Sequence, residues 1–323
     1  MFTLNDPSTM EKKTPFGLIV ERFIVEEKLR EIAAQPPGAI TVKGFAYSTA
    51  LRYLSAFSKY ILPRWGEIPI EAIRPAEVLA WVKDLPLSGM TKSLMKSIMH
   101  LLFERAMLWD LLPTQRNPID LVRLRGISVR KKKKIILSVE QFIQLRAELG
   151  EPYKAMVTLA ICTGLRVSEV TALRWDHIKD GALLVQASSF DGRIGSVKSK
   201  ASGDEIPLHP DILADIPPGD GLVFTNPLTG GPFYGGWIQQ TLLKPLGVKL
   251  GIGEHLGWHA FRHTYRTLLD EAGAPVGVQQ KLMRHANVST TMNVYGSSTM
   301  SAKREANNKV VQMVVGTVGT RTA

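Results

Sequence analysis

The sequence predicts a mainly α protein with one small antiparallel β-sheet, an α+β fold with an all-helical N-terminal domain and a larger C-terminal one. Three observations predict it. Apolar residues recur at helical spacing through most of the 323 residues. Short strand-like runs, set apart by glycines, are confined to residues 182–208. Between the two helical regions lies a stretch of unbroken positive charge. A chain of this length suits two or three domains, and an apolar content of 45% is ample for real cores.

In chain order, residues 1–36 read as an N-terminal extension holding one helix. Phe16, Ile19, Val20, Phe23, Ile24 and Leu29 mark it over 16–34, and the Gln35-Pro36-Pro37-Gly38 run stops it. A helical domain follows over 37–122. Leu51, Leu54, Phe57, Ile61 and Leu62 mark a helix that Pro63 is expected to end. Pro75 opens a short helix to Val82 at a tolerated first-turn position. Leu94, Ile98, Leu101, Leu102, Met107 and Leu108 mark a long helix over 90–111. Residues 123–137 read as a basic linker: Arg123, Arg125, Arg130, Lys131, Lys132, Lys133 and Lys134 have no acid among them. Such a run is either a solvated tether or a source of phosphate contacts.

The C-terminal domain is expected over 138–312, with 313–323 a flexible tail. Ser138-Val139-Glu140-Gln141 has the capping-box pattern ahead of helices at 139–149 and 152–162. Gly164 is placed as a helix stop, and a further helix covers Val167 to Leu173. Strands are expected at 182–186, 193–197 and 205–208, turned by Gly192 and by Ser202-Gly203-Asp204. Helices are expected at 235–249, 259–272, 275–284 and 289–295. From Thr299, the residues Ala302, Ala306, Val310, Val311, Val314 and Val315 form one more apolar stripe.

Charge narrows the function. Lys plus Arg outnumber Asp plus Glu by 40 to 29, a net charge of +11, which points to a polyanionic partner, most often nucleic acid. The single cysteine, Cys162, allows no disulfide within the chain and no zinc site of several cysteines. It lies in the apolar run 156–162 and reads as a core residue rather than a nucleophile. Residues 1–14 lack a signal-peptide pattern, and the apolar runs fall short of the roughly 18–20 residues a membrane span needs. The expectation is a soluble, cytoplasmic protein.

Four separated pieces suggest one chemistry. At about 100° per residue, Phe261, Tyr265, Leu268 and Leu269 share the core-facing arc of one helix. His259, Arg262, His263 and Arg266 share the adjacent arc, turned to a cleft or to solvent. Arg166 follows a helix stop, where an arginine opposes the helix dipole unless an anion is near. Glu169 could brace a neighbouring cation or simply suit a first helical turn. Lys198 and Lys200 sit at a turn between strand candidates. Tyr295 follows His285 by ten positions. A tyrosine, with a pKa near 10, needs help to lose its proton and a phosphate whose charge is neutralised. Arginine forks fit phosphate oxygens, histidines trade protons, and lysine suits protonation of a leaving oxygen. No paired-carboxylate metal site is visible, so the set suggests metal-free phosphoryl transfer through a covalent intermediate.

Together these stretches resemble the tyrosine recombinase (phage integrase) family. They are Thr163–Trp175, Val197–Lys200 with Ile206–Leu208, Trp258–Thr264, and Met283–Tyr295. The resemblance implies an integrase-type catalytic domain over 138–312 and a helical core-binding domain ahead of it. Arg166 and Arg262 would clamp the scissile phosphate, supported by His259 and His285. Lys198 would be the general acid, Lys200 the less favoured candidate for that role, and Glu169 a residue behind the clamp. Tyr295 would form a 3′-phosphotyrosyl link, with no cofactor and no metal. Lys200 and the basic run, Arg123 to Lys134, would contact DNA. The implied partners are double-stranded DNA and further copies of the chain, four on two DNA sites, with the C-terminal helix exchanged between protomers. Accessory DNA-bending or directionality proteins belong to the same picture. The expected role is integration or excision of a mobile element. The alternatives are a type IB topoisomerase-like enzyme and a DNA-binding protein without catalysis. One departure stands out: the family carries glycine before the second histidine, and this chain has Arg284, which would crowd the site or add a phosphate contact.

Overall fold

The computed structural model describes residues 14–36, 45–114, 116–126, 134–196, 205–216 and 218–284. The expected helix at 289–295, the tail stripe, Arg130 and Lys131 to Lys133 lie outside the described residues, as do Lys198, Lys200, His285 and Tyr295. The chain divides into two compact units, Met1–Lys133 and Lys134–Ala323. It is mostly helical, as the periodicity predicts, and its described strands form two small antiparallel sheets where one was expected.

The first unit is all helical. Phe16–Glu26 (α1) and Leu29–Ala34 (α2) replace the single helix expected over 16–34. The break is Lys28, left-handed at φ 52, which ends one hydrogen-bond ladder and starts the next. Tyr47–Ala56 (α3) continues through a π turn, Phe57–Ile61, into Leu62–Trp65 (α4). Pro63 therefore does not stop the helix. The Leu62 amide donates five residues back to the Phe57 carbonyl, and this widened turn relieves the clash a proline ring makes with the preceding turn. Pro75–Asp84 (α5) and Gly89–Leu108 (α6) complete the unit, α6 opening on Ser88, whose hydroxyl accepts from the Thr91 amide. A core of its own holds Phe16, Phe23, Phe57, Trp65 and Phe103, with Phe16 and Phe103 rings 5.6 Å apart.

The second unit opens with Val139–Ala147 (α7). Both bonds of the Ser138 capping box form: the Gln141 amide donates to Ser138 Oγ and the Ser138 amide to Gln141 Oε1. Tyr153–Thr163 (α8) ends at Gly164, left-handed at φ 64. Val167–Val170 (α9) is shorter than expected. Strands Ile178–Lys179 (β1), Ala182–Leu184 (β2) and Glu205–Pro207 (β5) form one antiparallel sheet in the order β1-β2-β5. Ala187–Phe190 (β3) and Arg193–Ser196 (β4) form a separate hairpin. β1 and β3 are absent from the sequence expectation. Both two-residue turns, Asp180-Gly181 and Asp191-Gly192, have positive φ at each position, the geometry that Asp-Gly favours in hairpins.

Pro210–Ala214 (α10) precedes Gly235–Ile238 (α11), a second π turn over Gln239–Leu243, and Lys244–Lys249 (α12). Trp258–Glu271 (α13) and Val276–Met283 (α14) end the described chain. α13 packs against α8 and α14, and a core around Met156, Leu159, Leu243, Trp258 and Phe261 lies beneath them.

Candidate active site

Gly164 fixes the geometry of the site. Its φ of 64 suits glycine, and a Cβ there would lie 2.4 Å from Tyr265 Cδ1. The close approach lets α13 pass directly over the end of α8. Arg262, on α13, donates through Nη1 to the Gly164 carbonyl and through Nη2 to the Met283 carbonyl. One guanidinium thus holds together the ends of α8 and α14. Trp258 anchors the start of α13 by donating from Nε1 to the Gly235 carbonyl at 2.9 Å. Thr264 fixes it to the incoming chain, accepting at Oγ1 from the Leu137 amide at 3.0 Å.

The basic arc of α13 is therefore only partly a cleft surface. His259 is exposed, but Arg262 is 5% and Arg266 is 3% exposed. Arg266 ion-pairs with Asp270 on its own helix. Of the arc assigned to the core, Phe261 is fully buried, whereas Tyr265, Leu268 and Leu269 are half-buried. The arginines are drawn inward because carbonyls and a carboxylate receive them there, a signal that apolar periodicity does not carry.

Arg166 stands just ahead of α9 in extended geometry. The anion that its place at a helix start calls for is supplied within the protein. Glu169 Oε1 accepts from Arg166 Nη1 at 2.7 Å, and Oε2 accepts from the Arg166 amide at 2.8 Å. Arg284 is the residue the sequence leaves hardest to read. Its side chain turns inward, 1% exposed, and Nη2 donates to Glu169 Oε2 at 2.8 Å. Glu169 thus braces two guanidiniums. Burial pushes the Glu169 carboxyl up, but Arg284 and then Arg166 outweigh it, leaving the pKa below the usual carboxylate range.

The cluster carries excess positive charge. Burial first, then the guanidiniums of Arg166 and Arg284, lower the Arg262 pKa to about 9, still high enough to keep the charge at neutral pH. Lost hydration of its ring, then Arg262 and Arg166, lower the His259 pKa and favour the neutral imidazole. His263 is depressed further, to about 4, by burial and then by Lys134, His259 and Arg262. Three guanidiniums and one carboxylate therefore meet where Arg166, Arg262, Arg284 and Glu169 gather. Such a cluster can bind an anion that offers several oxygens.

The structure brings together Arg166, Glu169, His259 and Arg262 of the expected site. Arg123, Arg125 and Lys134 of the basic run are exposed. Cys162 is also exposed, contrary to its expected core position. It lies in the last turn of α8, one residue from buried Ile161 and Thr163, on the helix side turned outward. Among the described residues no group of three or more His, Cys, Asp or Glu is placed to hold a metal ion, and no helix is long and apolar enough to cross a membrane.

Residues 237–302 match the model of the Phage integrase family. Tyrosine recombinase XerC of Pseudomonas aeruginosa (strain LESB58) is 28% identical over 170 residues, covering 48% of this chain and 54% of that protein. XerC of Xylella fastidiosa (strain M23) is 28% identical over 208 residues, covering 57% of this chain and 67% of the relative. The match thus spans about half the length of the Pseudomonas relative. The fold resembles that of the Tn1549 transposon integrase in complex with transposon right end DNA, with a TM-score of 0.73 at 19% identity over 92% of this chain and 100% of that one. It also resembles a lambda integrase dimer bound to a COC′ core site, with a TM-score of 0.67 at 18% identity over 92% of this chain and 83% of that one.

Proposed function

We propose, from the premise that this chain is a member of the phage integrase (tyrosine recombinase) family, that it is a site-specific DNA recombinase acting through Tyr295. The observation that carries this reading is the cluster of half-buried Arg166 with buried Arg262 and Glu169, beside a His259 whose lowered pKa favours the neutral ring. A phosphodiester is the anion whose oxygens suit two guanidinium forks at once.

In the proposed reaction the Tyr295 phenol oxygen attacks phosphorus. The bond to the 5′-oxygen breaks, and its electron pair leaves with that oxygen, which takes a proton from Lys198. The phenol proton passes to His259 or His285. The lowered His259 pKa keeps the ring in the neutral form, the one that can take a proton, while making it a weaker base. Arg166 and Arg262 stabilise the charge that builds on the phosphoryl oxygens. Attack by a 5′-hydroxyl on the 3′-phosphotyrosyl bond reverses each transfer and rejoins the strand without ATP. Exposed Arg123, Arg125 and Lys134, with Arg130 to Lys133 and Lys200, add phosphate contacts.

The finer reading is integration or excision of a mobile element by four copies on two DNA sites. Likeness in fold to a transposon integrase and to a lambda integrase tetramer bound to a Holliday junction supports it. The test is covalent capture. The protein is mixed with nicked duplexes drawn from its own genome, denatured in detergent, and the attached DNA is sequenced beside Tyr295→Phe. Adducts that need Tyr295 are expected, and they also report the target site. Equal adducts in both proteins would move the nucleophile elsewhere. DNA binding without adducts would favour a binder that does not cleave.

A further inference from the structure

Residue 284 ends α14 in the left-handed conformation, φ 50 and ψ 48. Glycine adopts it freely, whereas an L side chain gives up about 1 kcal/mol there. The same residue also buries a guanidinium, and an unpaired buried cation is costly. Two unfavourable choices at one position call for a compensating contact. Among the described residues Nη1 reaches the nearby Leu282 carbonyl, at 3.1 Å, and Nε has no partner. Among the described residues, the bond from Nη2 to Glu169 is the one that meets the charge.

That bond divides Glu169 between two arginines. Oε1 holds Arg166 Nη1, while Oε2 is taken by the Arg166 amide and Arg284 Nη2. The Arg166 guanidinium is consequently held by one oxygen and one nitrogen. Without Arg284, Oε2 would be open to a second guanidinium nitrogen, and a fork-to-carboxylate pair is the stronger arrangement.

We propose that Arg284 is a positioning residue for cleavage: through Glu169 it fastens the end of α14, the residue before His285, to the head of α9, and it keeps Arg166 from closing both oxygens of Glu169 into its own fork. The inference rests on the recombinase reading above. Arg284 itself is not placed against the reacting atoms.

The test is a double-mutant cycle on the full chain with Arg284→Gly, Glu169→Gln and both together. Two quantities are read: single-turnover cleavage of a nicked duplex carrying the captured site, and amide exchange over residues 164–170 and 276–284. Arg284→Gly relaxes the backbone, yet it is expected to slow cleavage about tenfold at unchanged DNA affinity and to speed exchange in both segments. A neutral amide at 169 offers one acceptor oxygen and cannot close a fork with Arg166, so the double variant is expected to cleave no slower and exchange no faster than Glu169→Gln alone. Additive effects, or a glycine variant as fast as wild type, would overturn the proposal. Arg284→Lys, which keeps the charge and loses the fork, replaces the glycine variant should that not fold. Absence of Tyr295-dependent cleavage in the wild type would sink the recombinase reading; the exchange cycle then decides on its own whether residue 284 acts through Glu169, and additive exchange ends the idea.

Discussion

Gly164 meets two demands that no other residue type satisfies together. It takes a positive φ, and it leaves room for the Tyr265 ring where a Cβ would stand. Its carbonyl then faces Arg262, so a backbone choice at the end of α8 determines where the guanidinium proposed to clamp phosphate rests. The stop is readable in the sequence because glycine after an apolar helical run is a strong signal. The inward turn of Arg284 is not, since nothing local distinguishes an arginine pointing to solvent from one aimed at a carboxylate 115 residues away. His263 yields a prediction at this scale. Its pKa falls from the ordinary 6.5 to about 4 on folding, so the unfolded chain binds the extra proton first. Stability from this group is complete above pH 6.5 and declines as pH drops toward 4. His259, also depressed, acts in the same direction, and the Glu169 share is lost at still lower pH. Melting temperatures across pH 4 to 8 should therefore fall less steeply for His263→Gln than for wild type; parallel curves would show that the imidazole is not what titrates.

Two helices of this chain treat proline in the same way. α3 runs through a π turn into Leu62-Pro63, and α11 runs through a π turn into Lys244-Pro245. In each, the amide just before the proline donates five residues back, to Phe57 or to Gln239. The proline then falls in the first turn of a fresh helical segment, where a missing N–H is tolerated. Apolar periodicity alone reads 235–249 correctly as helical but stops the earlier helix at Pro63, because local rules cannot see that the preceding turn widens. Conversely, the strands β1 and β3 are too short for an alternation pattern, and only their Asp-Gly turns announce them. An unrelieved interior proline costs about 3 kcal/mol. Pro245→Ala is expected to change the unfolding free energy by less than about 1 kcal/mol, since little of that cost remains to be recovered. Denaturant melts of the two proteins measure it, and a gain near the full figure would show that the π turn relieves nothing.

Across the whole molecule, charge is the property most easily read from composition, and it bears on binding more than on fold. A net charge of +11, with Arg123, Arg125 and Lys134 exposed, should make DNA affinity steeply salt dependent through counterion release. Between 50 and 200 mM salt the affinity is expected to fall by about 10³-fold or more if six or more phosphates are contacted. A titration flat over that range would remove the basic run from the interface. The α+β class and the mostly helical character were legible because periodicity is a property of long segments. The site was legible only as residue types in order, since its geometry depends on which carbonyls and carboxylates the packed helices present. The chain also holds a single sulfhydryl, on the outer side of α8 and two positions before Gly164. Although the residue is exposed, partial loss of hydration at the thiol raises its pKa, so alkylation should be slow at neutral pH and faster under mildly alkaline conditions. One fluorophore or spin label can therefore be attached near the end of α8 without removing any other thiol, and spacings between labelled copies on DNA would test directly whether four protomers gather there as proposed.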